Sequence, residues 1–145
     1  MREIKFRGKS TKTGKWFHGS YVYDEEWNKH YIYHSSKLPD EPFYYLMREE
    51  IDEKTVGQFI GIKDIKGHEI YEGDIIIIYY KNPTKFYQEI QAVVFSKKLI
   101  AFTIKNNCKE TEFHLLGSSW IESREIIGNI YDNKDLLNGR KFPEL

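Results

Sequence analysis

The sequence predicts a mainly β protein, with an N-terminal antiparallel β meander over residues 1–54 and a small closed β-barrel over residues 55–145, packed as one unit. Three observations carry that expectation. The chain of 145 residues holds 11 Tyr, 9 Phe and 3 Trp, side chains that fit pleated surfaces. Alanine, the best helix former, occurs only at Ala92 and Ala101. The longest apolar run, Ile75-Ile76-Ile77-Ile78-Tyr79-Tyr80, is β-branched and aromatic and follows a glycine turn, the pattern of a buried strand.

Taken in order, residues 2–7 alternate Ile4 and Phe6 against Glu3, Lys5 and Arg7, a period of two that predicts a half-buried strand. Residues 8–14 read as a polar loop turning at Thr13-Gly14. Residues 15–23 resume the alternation, with a phase slip at Gly19 that suggests a bulge. Residues 24–29 are charged and suit a hairpin tip, and residues 30–34 form another short strand. Pro39 and Pro42 punctuate a loop over residues 35–42. Residues 43–54 either contain one helical turn or wrap the barrel.

Residues 55–80, TVGQFIGIKDIKGHEIYEGDIIIIYY, organise the remainder. They predict a strand over 55–62, a turn over 64–67, a short strand over 68–71 and a tight turn at Glu72-Gly73-Asp74 that launches the central strand. Gly67 and Gly73 would supply the positive φ such turns need. After a break at Asn82-Pro83, residues 86–96 and 98–105 read as strands joined by a tight hairpin at Ser96-Lys97. Residues 106–109 form a turn, and 112–116 a short strand or one turn. Residues 125–131 supply the closing strand of the barrel, and 132–138 one capped helical turn.

Three stretches resemble the YopX family of phage and prophage proteins. The first is Thr55-Val56-Gly57-Gln58-Phe59, Gly61-x-Lys63-Asp64 and Gly67-x-Glu69-Ile70-Tyr71-Glu72-Gly73-Asp74-Ile75. The second is the opening Met1-Arg2-Glu3-Ile4-Lys5-Phe6-Arg7. The third runs from Glu125-Ile126-Ile127-Gly128-Asn129-Ile130-Tyr131-Asp132-Asn133 to Leu136-Leu137. They lie in order and span the chain, while residues 8–54 depart from the family's shorter charged turn. The resemblance implies an SH3-like barrel in the C-terminal half, with Gly57, Gly61, Asp64, Gly67, Tyr71, Gly73, Asp74 and Gly128 as its structural signature. It implies expression from a phage or prophage in the bacterial cytoplasm, and it implies no reaction.

Net charge is zero, but the charges are not evenly spread. Residues 1–20 carry six bases against one acid, and residues 21–56 carry four against nine. Such asymmetry speaks to solubility and encounter, and is met by a solvated face where the two segments approach. No run of about 18 apolar residues exists, so no membrane span is expected. The single Cys108 has no disulfide partner within the chain, which fits a reducing cytosol.

The search for chemistry gives bland answers. His30 and His34 have i, i+4 spacing, but Tyr31-Ile32-Tyr33 between them predicts a strand. Two histidines would then stand about 13 Å apart, too far to share a zinc ion. No nucleophile elbow or phosphate loop is present. Glu69, Glu72, Asp74 and Asp64 cluster at turns, where carboxylates satisfy backbone donors. No catalytic residue, cofactor or metal is expected, and the protein is read as a non-enzyme. The aromatic residues Trp16, Tyr21, Tyr23, Tyr31 and Tyr33 form the candidate interaction surface, because Tyr and Trp are enriched where interfaces bury area. The expected partner is a host or phage protein, or a second copy through an open sheet edge. The alternative is a single-stranded nucleic-acid binder, drawing on the basic N-terminal segment with Trp16 and Phe17. The chain's pI near 7 weighs against it.

Overall fold

The computed structural model describes residues 1–81, 87–105, 114–115, 119 and 121–138. The chain divides into two compact units, Met1–Gly61 and Ile62–Leu145. All regular structure among the described residues is antiparallel β, with 3-10 turns at Glu53–Thr55 and Lys134–Leu137 and no α-helix. The helical turn expected over 132–138 is this second 3-10 turn.

In the first unit the strands are β1 (Phe6–Lys9), β2 (Trp16–Asp24), β3 (Lys29–Lys37), β4 (Tyr44–Glu50) and β5 (Gly57–Lys63), the last running through the division. Within this unit the strand order is β4-β3-β2-β1-β5, so the expected meander is present. Strand β1 starts later than the alternation suggested, because its ladder with β2 runs from Phe6↔Gly19 to Lys9↔Trp16. Residues 43–54, for which the sequence leaves open one helical turn or a wrap around the barrel, give β4, followed by a 3-10 turn capped by the Asp52 carboxylate on the Lys54 N–H. No periodic signal marks this strand: Tyr44-Tyr45-Leu46-Met47 shows no period of two, because these residues are exposed on both faces.

Strand β2 divides its pairing. Residues up to Gly19 pair with β1, and residues from Ser20 to Asp24 pair with β3. Gly19 stands at the switch, and an added Cβ there would lie 2.0 Å from the Tyr33 carbonyl oxygen. The expected bulge is therefore a close backbone approach, with both registers regular around it. Beyond the switch the β3–β4 hairpin continues as a two-stranded ribbon. The far end of β4 is tied back to β1: Ser10 bridges Ile51, the Thr11 N–H donates to the Glu50 carbonyl, and the Asp52 N–H donates to the Lys9 carbonyl. Ile32, Ile51 and Phe59 form the buried core.

The second unit contains β6 (Glu69–Tyr71), β7 (Asp74–Tyr80), β8 (Tyr87–Ser96), β9 (Ala101–Lys105), β10 (His114–Leu115) and β11 (Ile121–Asn129). Strands β7 to β11 form a sheet in the order β10-β9-β8-β7-β11. The central β7 carries Ile75, Ile76 and Ile78, all fully buried, and packs with Ile70, Tyr71, Val93 and Ile104. Adjacent residues buried on opposite faces account for the unbroken isoleucine run.

The closed SH3-like barrel expected here requires correction. A barrel closes only when its first and last strands pair. Here β10 and β11 stand at opposite ends of the order and make no ladder with one another among the described residues. Strand β11 is spent on β7 alone, with register shifts between Ile121 and Ser123 and between Ile126 and Gly128. The turn expected over 106–109 and the break at Asn82-Pro83 lie outside the described residues.

Gly73 stands at φ +86°, donates its N–H to the Val93 carbonyl and accepts from the Ile130 N–H. A β-branched residue strongly disfavours this conformation, and a Cβ would also press on the Tyr131 ring at 3.0 Å. Gly73→Val is expected to destabilise by about 2 kcal/mol, measured as a lower urea midpoint. An unchanged midpoint would remove the argument for this turn.

Candidate interaction surface

The registers of the first unit sort the aromatic residues between two faces. Antiparallel partners share a face. The pairs Ser20↔Tyr33, Val22↔Tyr31, Tyr33↔Arg48 and Tyr31↔Glu50 therefore place Tyr31, Tyr33 and Arg48 together. Trp16 and His18 stand on the same face of β2, opposite Lys9 and Arg7. The other face carries Phe6, Phe17, Tyr21, Tyr23, His30, Ile32 and His34. Of the five residues expected to form one surface, Trp16, Tyr31 and Tyr33 share the outer face, while Tyr21 and Tyr23 are turned toward the face that buries Ile32.

On the outer face cations lie over rings. The Arg7 guanidinium is 4.8 Å from the Trp16 ring centroid, and the Arg48 guanidinium is 4.8 Å from that of Tyr31. A hydrogen bond with Tyr33 holds the Arg48 pKa above its ordinary value, helped by the electrostatic fields of Tyr31, Tyr33 and Asp24. Lys29 donates to Glu50 at 2.6 Å on the same face. The result is an array of half-buried Trp16, Tyr31 and Tyr33 with the exposed Arg48 and the buried Arg7, bordered by the carboxylates Asp24 and Glu50. Arg7 and Arg48 carry no local sequence signal, because only the strand registers put them over rings.

The inner face carries a hydrogen-bonded line. The Tyr21 hydroxyl lies 2.7 Å from His30 Nδ1, and His30 Nε2 lies 3.1 Å from Glu53 Oε2. Tyr21 and Tyr23 both stack on the His30 ring. Burial, with smaller contributions from Tyr23 and Glu53, pushes the Tyr21 pKa up. The phenol therefore stays protonated at neutral pH. Tyr23 reaches the hairpin tip, where its hydroxyl donates to Asn28. His34 packs against Phe17, so His30 and His34 serve separate aromatic contacts.

The signature residues lie at turns and strand starts. Gly57 opens β5 opposite Arg7. Gly61 and Gly67 stand at φ +91° and +86°. Asp64 accepts from the backbone N–H groups of Lys66 and His68 through one oxygen and from Ile126 through the other. The Tyr71 N–H donates to the buried Asp74 carboxylate at 2.7 Å, and the Tyr71 hydroxyl donates to Glu69. Gly128 follows the β11 register shift, with Asn133 crowding the place a Cβ would take. Each of these contacts serves the backbone path of the turns.

Among the described residues no group of three or more His, Cys, Asp or Glu side chains is placed to hold a metal ion. No helix among them is long and apolar enough to cross a membrane. A family model described as YopX protein matches residues 5–138. The fold is similar to the crystal structure of protein EF1440 from Enterococcus faecalis, at a TM-score of 0.57 and 20% identity, covering 94% of this chain and 99% of that one. A search of curated proteins gave no match.

Proposed function

The chain belongs to the YopX family, and from that premise we propose that it is a non-enzymatic accessory protein of a phage or prophage that binds a host or phage protein in the bacterial cytoplasm. The supporting observation is the outer face of the meander, where Trp16, Tyr31 and Tyr33 stand with Arg7 and Arg48. Trp, Tyr and Arg are the residue types that dominate binding energy at protein interfaces. Here the guanidinium groups are already seated on rings, so less side-chain freedom is lost on docking.

The same cation–aromatic pairs favour a second reading, single-stranded nucleic acid stacking on Trp16 and Tyr31. Asp24 and Glu50 on that face oppose it, since a phosphate backbone crossing the array meets both carboxylates. The two readings separate in capture experiments with the full chain as bait. A protein partner is expected to survive nuclease and high salt, and Trp16→Ala or Tyr33→Ala should weaken its capture by about tenfold or more. Tyr23→Ala, on the other face, should leave capture unchanged. Loss of all captured material on nuclease treatment, with steep weakening by salt, would establish the nucleic-acid reading instead.

A further inference from the structure

The β3–β4 ribbon is exposed on both faces and, among the described residues, unpaired along one edge. Tyr44 is 73% and Leu46 72% exposed, and Phe43, Tyr45 and Met47 are exposed beside them. A two-stranded ribbon is marginal in water by itself, and an apolar edge without proline or lysine is open to pairing. Which groups point outward follows from the ladder. The Ile51 N–H donates to the His30 carbonyl, its direct partner in register, so Ile51, Glu49, Met47 and Tyr45 turn their main-chain groups toward β3. Tyr44, Leu46 and Arg48 then turn theirs outward. The Glu50 carbonyl and Asp52 N–H, of the same parity, do point outward, where Thr11 and Lys9 take them. The chain thus protects one end of this edge and leaves the other bare.

We infer that the bare edge pairs with the same edge of a second copy, antiparallel, about a two-fold axis at Leu46. In this register Leu46 faces Leu46 of the second copy, and Tyr44 faces its Arg48. Each of these outward residues exchanges both main-chain hydrogen bonds with the other copy. Arg48, already over Tyr31, gains the Tyr44 ring of the second copy on its other side, a cation–aromatic complement repeated by symmetry. On the opposite face Tyr45 meets Met47, a favourable sulfur–aromatic pairing. Two other registers, with the axis moved by two residues either way, are poorer. An axis at Arg48 sets like charges together and reaches the occupied Glu50 carbonyl. An axis at Tyr44 places Leu46 against Pro42, which has no N–H to give. The inference goes beyond the partner-binding reading and shares with it only Arg48 and the Tyr31 ring beneath it.

Sedimentation of the full chain over a concentration series tests it, with circular dichroism confirming that each variant is folded. The parent should be dimeric. Leu46→Pro removes an outward donor and no bond to β3, so it should give a folded monomer. Tyr44→Lys sets like charges against Arg48 at two symmetric places and should weaken the dimer by about tenfold. Adding Arg48→Glu to Tyr44→Lys creates opposite-charge pairs and should restore it. A parent that is monomeric throughout, or a dimer indifferent to Tyr44→Lys, would overturn the interface. Loss in the single variants without rescue in the double would overturn the register. Trp16→Ala should leave the dimer intact, so failure of partner capture and failure of dimerisation are read separately.

Discussion

Gly19→Val is expected to destabilise the protein by about 3 kcal/mol. The cause is backbone against backbone. A Cβ at residue 19 would stand 2.0 Å from the Tyr33 carbonyl oxygen and 2.9 Å from its carbon, and neither can swing aside as a side-chain tip could. Relief requires β2 and β3 to separate where β2 passes from one partner strand to the other. The register from Ser20↔Tyr33 to Asp24↔Lys29 starts one residue later, so the loss should spread along the hairpin. Urea unfolding of the full chain measures this. Gly19→Ala should lose nearly as much, since the first carbon makes the clash. A Gly19→Ala variant with the parent's midpoint would remove the close approach as the reason for glycine there.

Asp64→Ala is expected to cost about 3 kcal/mol, because the carboxylate is the acceptor for three backbone N–H groups. Its side chain is sealed from solvent. It accepts from Lys66 at 2.9 Å and His68 at 2.8 Å within its own turn, and from Ile126 of β11 at 3.3 Å. The Ile65 N–H and the Arg124 carbonyl add a parallel link between this turn and β11. Burial by itself would raise the carboxyl pKa, but the donors from His68, Ile126 and Lys66 outweigh it and hold the pKa below the ordinary 3.8. A depressed folded-state pKa means stabilisation is full above 3.8 and is lost as pH falls through the lower folded value. Asp64→Asn should therefore lose this part of the acid dependence, on top of being less stable at neutral pH. Parallel stability–pH curves for parent and Asp64→Asn below 3.8 would show that the carboxylate does not carry the effect.

The turns around Gly67 and Gly73 were legible in the sequence because their causes are local. A positive φ excludes most residues but glycine, and a carboxylate beside the glycine finds a backbone donor within a few residues. The same locality made the strands legible wherever one face is buried, as in β2 and β3. Strand β4 is illegible for the opposite reason: exposed on both faces, it has no alternation to read. Gly19 marks an irregularity in the alternation, yet a bulge and a close approach leave the same mark on one strand's pattern.

The sequence by itself determined the antiparallel β class, the hairpin tips and the turn glycines, since each rests on propensity or on a contact within a few residues. Only the tertiary structure decided that β7 to β11 form an open sheet. Closure depends on whether strands far apart in sequence meet, and periodicity is silent on pairing. It likewise decided which aromatics share a face, because one residue of register moves every side chain to the other side. Arg7 reached Trp16, and Arg48 reached Tyr31, through three antiparallel registers acting together.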